Sequence, residues 1–304
     1  MNRIITKFAV IILSVTLIPL GAIGKTAISN FKNEKFVVFD VSSNKTYSLS
    51  EREYLIGALF AQTDPSYDLE ALKAQTVVSY TNALFMEQSS DKNYDFEIDI
   101  SREILYIDED SARKKYAEDY KSLLKKIEAA VDSVYGKSIT FNSKTVLLPY
   151  FSSSNGFTED ASVVWGQEVE YLKAVKSGGD VLNPNSKTDY SFTIEEIRSL
   201  ILEKYKIELP EDSLNFVVEG RTDSGTVTAC SVESIVMTGQ DFRSLFNLRS
   251  ANFDLSFDGE KLDITCYGKG HYVGMSQYGA DFMARQGSSC VDILKHYYTD
   301  IEIT

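Results

Sequence analysis

The chain has 304 residues, 43% of them hydrophobic and 25% charged, enough apolar material for one large domain or two moderate ones. A formal net charge of −13 argues against nucleic acid as a partner, because phosphate binding needs a basic patch, and reads instead as solubility. Cys230, Cys266 and Cys290 are widely spaced with no C-x-x-C pair, which excludes a zinc knuckle or redox motif; either one disulfide with a spare thiol or three small buried hydrophobes remains, the second being our reading.

In chain order, Arg3 and Lys7 precede an uncharged apolar run from Phe8 to Gly24. About 17 residues is the short limit for crossing a bilayer and also fits a signal-peptide core. Residues 1–24 therefore read as a membrane anchor or a signal peptide, and both export the rest of the chain. Residues 25–35 read as a spacer and residues 36–304 as the folded domain, opening on the strand Phe36-Val37-Val38-Phe39. Tyr54 to Ala61 reads as a buried helix. Leu69, Leu72, Thr76, Val77, Tyr80 and Leu84 recur at helical spacing behind Asp68 as cap. A third helix is predicted from about Ser111 to Val134, ended by Gly136.

Strand signals come next. Ile139 to Phe141 and Thr145 to Leu148 flank Asn142-Ser143, a hairpin candidate. Thr193 and Glu196 make a capping box for a helix ending near Ile207. Asn215 to Arg221 and Thr226 to Val232 flank Asp223-Ser224-Gly225. Phe253 to Phe257 and Lys261 to Cys266 flank Asp258-Gly259, where alternation of Leu262, Ile264 and Cys266 with polar residues marks one buried face. Helices in the first half and antiparallel hairpins mainly in the second give an α+β fold, here expected around a groove.

Three strings of residues carry a resemblance. The first is Tyr54 to Gln62 followed by Leu69-Glu-Ala-Leu-Lys-Ala-Gln75. The second is Pro149-Tyr-Phe-Ser-Ser-Ser-Asn-Gly-Phe-Thr-Glu159, with Val164-Trp165-Gly166 and Tyr171-Leu172-Lys173. The third is Phe242-Arg243, Leu248-Arg249-Ser250 and Gly268 to Ala280, which includes V-G-M-S-Q-Y-G-A. Together, in order over roughly residues 36–304, they resemble the stage II sporulation protein D and amidase-enhancer family. That resemblance implies a cell-wall role in engulfment. It implies lytic transglycosylase activity on peptidoglycan glycan strands whose stem peptides have been removed, and an amidase of the stage II sporulation protein P type as partner.

Such cleavage needs a carboxyl group that donates a proton to the glycosidic oxygen, then accepts one. In the family this Glu stands eight positions before the Glu of E-A-L-K-A-Q. With Glu70 as that anchor, the position holds Gln62, and an amide cannot relay a proton at neutral pH. The family's Arg of A-A-R-T-Y falls on Tyr80. The His of Y-H-S-T-S-G-G falls on Phe151, with Asn155 in place of a glycine. That His binds zinc in some relatives, and Phe151 cannot; no metal or other cofactor is expected. Asp64, Glu70 and Glu159 are the carboxylates near enough in sequence to substitute.

The remaining residues suit glycan binding and scaffolding better than cleavage. Ser152, Ser153, Ser154 and Asn155 offer hydroxyl and amide partners beside Gly156, and Trp165 can stack on a sugar ring. Lys73, Tyr171 and Lys173 fall in family strings, and His271, Gln277 and Tyr278 sit in a glycine-rich stretch. His296 lies on a helical stripe and reads as structural. The alternatives are an active transglycosylase with a displaced acid and an engulfment-complex interaction protein without glycan affinity.

Overall fold

The structure is a computed structural model that describes residues 35–211 and 214–304. The predicted anchor or signal segment and nearly all of the spacer lie outside the described residues. Among those described, no helix is long and apolar enough to cross a membrane.

The chain opens with strands β1 (Lys35–Asp40) and β2 (Lys45–Ser50), then helices α1 (Glu51–Gln62) and α2 (Leu69–Ser89). Strand β3 (Phe96–Ile98) is next, with helices α3 (Glu109–Tyr116) and α4 (Tyr120–Val134). Then come β4 (Ile139–Phe141), β5 (Lys144–Thr145), β6 (Tyr150–Phe151) and the short α5 (Ala161–Trp165). The later part holds β7 (Lys187–Thr193), α6 (Ile194–Tyr205), β8 (Phe216–Arg221), β9 (Val227–Val232), β10 (Ile235–Met237) and α7 (Gly239–Leu245). It closes with β11 (Phe253–Phe257), β12 (Lys261–Tyr267), β13 (Met275–Ser276), α8 (Gln277–Arg285), α9 (Cys290–Tyr297) and β14 (Glu302–Ile303). This is the expected α+β arrangement, with several small sheets and helices mostly in the first half.

Helix α2 explains how these pieces cohere. Leu72, Tyr80 and Ala83 pack into a core with α1, α3, α4 and the β2-β1-β3 sheet. Ala71, Ala74, Val77 and Val78 pack into a second core with α8, α9 and the β4 region. With apolar residues on two opposite faces, α2 is buried on both sides. A third core lies between the β11-β12-β7 and β10-β9-β8 sheets and helices α6 and α7. There Leu262, Ile264 and Cys266 are fully buried, as their alternation predicts. All three cysteines are free and buried, as expected of small hydrophobes.

Caps and turns obey their local chemistry. Asp68 caps α2 by accepting from the Glu70 backbone N–H at 3.0 Å, and Thr193 with Glu196 forms the capping box. Asn142 and Ser143 both have positive φ, as the tight β4–β5 hairpin requires. One prediction is corrected: the helix from about 111 to 134 is interrupted at Ala117, whose φ is 44°. The break lets Tyr116 and Tyr120 both pack on Phe60, at ring separations of 5.2 and 5.5 Å.

Candidate functional site

Gln62 is the last residue of α1, and its amide is fully engaged. Its Oε1 accepts from the Tyr150 hydroxyl at 2.7 Å and the Ser79 hydroxyl at 2.8 Å, while Nε2 donates to the Leu105 carbonyl at 2.9 Å. The array continues through α2. Gln75 Nε2 donates to Ser79 at 3.2 Å, and Gln277 Nε2 donates to both Gln75 Oε1 (3.1 Å) and the Gln62 backbone carbonyl (2.6 Å). Each of these side chains ends in an amide or a hydroxyl. Burial pushes the Tyr150 hydroxyl well above its ordinary pKa, so it is a poor proton source.

The Leu105 carbonyl reaches Gln62 because of an unusual local backbone. Leu105 has φ 66°, a left-handed conformation that costs a side-chain-bearing residue about 1–2 kcal/mol. The next two residues lie tight against α1 at Gly57, where an added Cβ would stand 2.3 Å from the Tyr106 ring and 2.6 Å from the Ile107 carbonyl. Only glycine allows that approach.

A second knot ties the serine string to the V-G-M-S-Q-Y-G-A string. Asp180 has no exposed surface. Its Oδ2 accepts from the Ser154 backbone N–H at 2.8 Å and the Ser154 hydroxyl at 2.5 Å, and its Oδ1 accepts from the Ser276 hydroxyl at 2.7 Å. Burial raises the Asp180 pKa, with the serine hydrogen bonds opposing the shift. Ser276 in turn caps α8 directly before Gln277. Strands β6 and β13 run parallel beside this knot, pairing Tyr150 with Met275 and Phe151 with Ser276.

A third cluster is aromatic. The His271 ring lies 5.4 Å from Trp165 and 5.8 Å from Phe151. His271 Nδ1 accepts from the Val273 N–H at 3.1 Å, which leaves the neutral ring's proton on Nε2. Burial, reinforced by the Arg243 charge, lowers the His271 pKa to about 4. The unfolded chain binds this proton first on acidification, so the contribution to stability is lost as pH falls from 6.5 towards 4. Imidazole NMR can track it: a His271 midpoint near 4 is expected, and a midpoint near 6.5 for that ring would show that the aromatic cluster is open to water.

The other predicted residues are spread around these clusters. Lys73 pairs with Glu70 at 2.6 Å, and the other Glu70 oxygen accepts from the Cys290 N–H at 2.7 Å, joining α2 to the start of α9. Glu159 is buried and accepts from Thr222 at 2.7 Å and from Ser224. Asp64 is exposed and caps its own turn through the Ser66 N–H. None of these three carboxylates hydrogen-bonds with Gln62. The Ser153 hydroxyl is buried without a partner among the described residues, the Ser152 carbonyl accepts from the Tyr278 N–H, and Asn155 is exposed. Tyr171 is buried and donates to the Leu147 carbonyl, and Lys173 pairs with Glu168 at the surface. Tyr278 packs on Tyr67 and reaches the Leu182 carbonyl. His296 contacts the Lys176 carbonyl at 2.7 Å, in keeping with a structural role.

The structure thus brings Gln62, Tyr150 and Gln277 into one array and Trp165 and His271 into another, while Lys73 and Lys173 are held by carboxylates elsewhere. A zinc ion does not fit the site. Phe151 is buried and offers no donor, and no group of three or more His, Cys, Asp or Glu among the described residues could hold one.

Residues 41–141 match the family model described as Stage II sporulation protein. The chain is similar to Stage II sporulation protein D of Bacillus amyloliquefaciens, at 32% identity over 88% of this chain and 78% of that one. The Bacillus subtilis (strain 168) protein of the same description is also 32% identical over the same shares. The Amidase enhancer of Bacillus subtilis (strain 168) is 24% identical over 82% of this chain and 40% of its own length.

Proposed function

The chain belongs to the stage II sporulation protein D family, and from that premise we propose that it binds peptidoglycan glycan strands outside the cytoplasm without cleaving them. The observation that carries this reading is the Gln62 amide. Its oxygen accepts two hydroxyl hydrogen bonds and its nitrogen donates to a carbonyl, so the position is filled by a neutral group that neither gives nor takes a proton. General acid catalysis contributes about 10²–10⁴-fold to a reaction of this kind, and nothing else in the array can supply it. The apolar run from Phe8 to Gly24 directs the domain to the cell-wall side, as a tether or as a leader. The kinship with a protein described as an amidase enhancer supports a scaffolding role beside a wall amidase.

The half-buried Trp165 ring with His271 behind it suits the flat face of a sugar, since aromatic contacts contribute about 0.5–1.5 kcal/mol beyond burial. Sedimentation of the full-length protein with insoluble stem-free glycan tests this. Retention of the natural protein is expected, weakened about three- to tenfold by Trp165→Ala. A natural protein that stays in the supernatant rejects glycan binding and leaves an engulfment-complex interaction role.

A further inference from the structure

Two half-buried arginines in this acidic chain have no carboxylate beside them among the described residues. Arg52, Arg113, Arg221 and Arg285 each pair with a carboxylate. Arg243 and Arg249 do not; neither forms an ion pair among the described residues. Arg243 Nε donates to the Leu248 carbonyl at 3.3 Å and Nη1 to Gln240 at 3.4 Å, both long contacts. Arg249 Nη1 donates to the Thr188 hydroxyl at 2.7 Å. A guanidinium has five N–H donors, so most of theirs are unused.

Their position is as informative as their lack of partners. Arg243 Nε holds the carbonyl of residue 248, next in the chain to Arg249. The Arg249 carbonyl accepts from the Gly270 N–H at 2.9 Å. Gly270 is pressed so closely on Phe151 that a Cβ would stand 2.5 Å from it, and His271 is the next residue. The Arg243 charge thus reaches His271, the Arg249 backbone holds the segment just before it, and both guanidinium charges act on Tyr190. Burial lowers the Arg243 pKa, but the group stays charged. A half-buried cation without a counter-ion is unfavourable unless an anion arrives to pair with it.

We propose that Arg243 and Arg249 form a carboxylate subsite beside Trp165 and His271, which takes the lactyl carboxylate of a muramic acid residue. This rests on the glycan-strand reading above. A strand bearing stem peptides has that carboxyl group tied up in an amide, without charge, whereas a stripped strand exposes it beside each such sugar ring. Guanidinium forks match carboxylates in shape and charge. The net charge of −13 disfavours an anionic polymer overall, so a strand held here needs local positive charge, which Arg243 and Arg249 supply.

The test uses the full-length protein and two readouts. The first is retention on stem-free glycan, either untreated or with its lactyl carboxyls converted to primary amides. The second is fluorescence of Trp165, the single tryptophan, titrated with N-acetylmuramic acid or N-acetylglucosamine. Arg249→Gln is the main variant and Arg249→Lys its conservative partner; Arg243→Gln serves as a second if its thermal unfolding matches the natural chain. About tenfold weaker binding of untreated glycan is expected for Arg249→Gln, with partial recovery in Arg249→Lys. Amidated glycan should bind the natural protein as weakly as the variant binds untreated glycan. Equal binding of both glycans by the natural protein overturns the subsite while leaving glycan binding intact. If no glycan binds but N-acetylmuramic acid alone shifts the fluorescence, and only with Arg249 present, the subsite stands and the strand reading falls. If glycan is not retained and neither sugar shifts the fluorescence, both fall.

Discussion

Incubated with stem-free glycan, the full-length protein is expected to release 1,6-anhydro ends about 10²–10⁴-fold or more slowly than a relative carrying the catalytic Glu. Clear product from the natural chain would reject the non-cleaving reading. Gln62→Glu is expected not to restore cleavage. The new carboxyl group would keep the hydrogen bonds from Tyr150 and Ser79, but one oxygen would face the Leu105 carbonyl, 2.9 Å from the atom it replaces. Two acceptors at that distance repel, so the group holds its proton towards Leu105 instead of towards a substrate. The positive charge that the family places at position 80 is also missing. Tyr80 stands there, with its hydroxyl donating to Glu51 at 2.9 Å.

The same geometry gives Gln62→Glu a stability signature. Facing a carbonyl, the carboxyl group is held above its ordinary range in the folded chain, whereas in the unfolded chain it titrates near about 4.3. At low pH both states are protonated and the variant matches the natural protein. As pH rises past the unfolded value, the unfolded chain releases its proton first and the variant loses stability. Thermal unfolding at about pH 4 and about pH 8 should show a deficit at the higher pH only, worth about 1–3 kcal/mol. An equal deficit at both would mean that the Leu105 carbonyl does not face the new group.

The Gln62 position was legible in the sequence from its distance to a recognisable string, although it ends α1 while that string opens α2. Eight positions separate Gln62 from Glu70, and the E-A-L-K-A-Q string sets the frame independently of any coordinates. Gln75 and Ser79 were missed, yet they carried a signal: two polar residues at i, i+4, so one above the other on one helix face, among the apolar positions of α2. Leu105 carried none, because its role depends on a backbone carbonyl aimed by a left-handed conformation that leucine does not advertise. Among the elements, the hairpins at Asn142-Ser143 and Asp258-Gly259 were readable from turn chemistry. The β6–β13 and β4–β14 pairs were not, since strands of two or three residues have no periodicity and their partners lie more than a hundred residues away. Asp180 falls outside all three strings, although it joins two of them.

Asp180 is expected to be the most sensitive single position in the knot that joins the serine string to the V-G-M-S-Q-Y-G-A string. Asp180→Ala removes the acceptor for the Ser154 N–H and hydroxyl and for the Ser276 hydroxyl at once, leaving buried donors unpaired. The loss is about 2–4 kcal/mol by thermal or denaturant unfolding, with glycan retention falling in parallel because Ser276 sets the start of α8 and so the reach of Gln277 to Gln62. Asp180→Asn separates charge from geometry. Its amide oxygen can still accept from Ser154, and its nitrogen can donate to Ser276 once that hydroxyl turns. Because burial raises the Asp180 pKa in the folded chain, the natural protein's advantage from this group is full below the unfolded value near 3.8 and declines as pH rises through the folded one. Asn does not titrate, so its stability relative to Asp should improve from about pH 4 to about pH 7. If Asn instead loses ground over that interval, the carboxylate is stabilised by its serines more than it is penalised by burial. If alanine is tolerated at both pH values, the serine knot does not hold the two strings together.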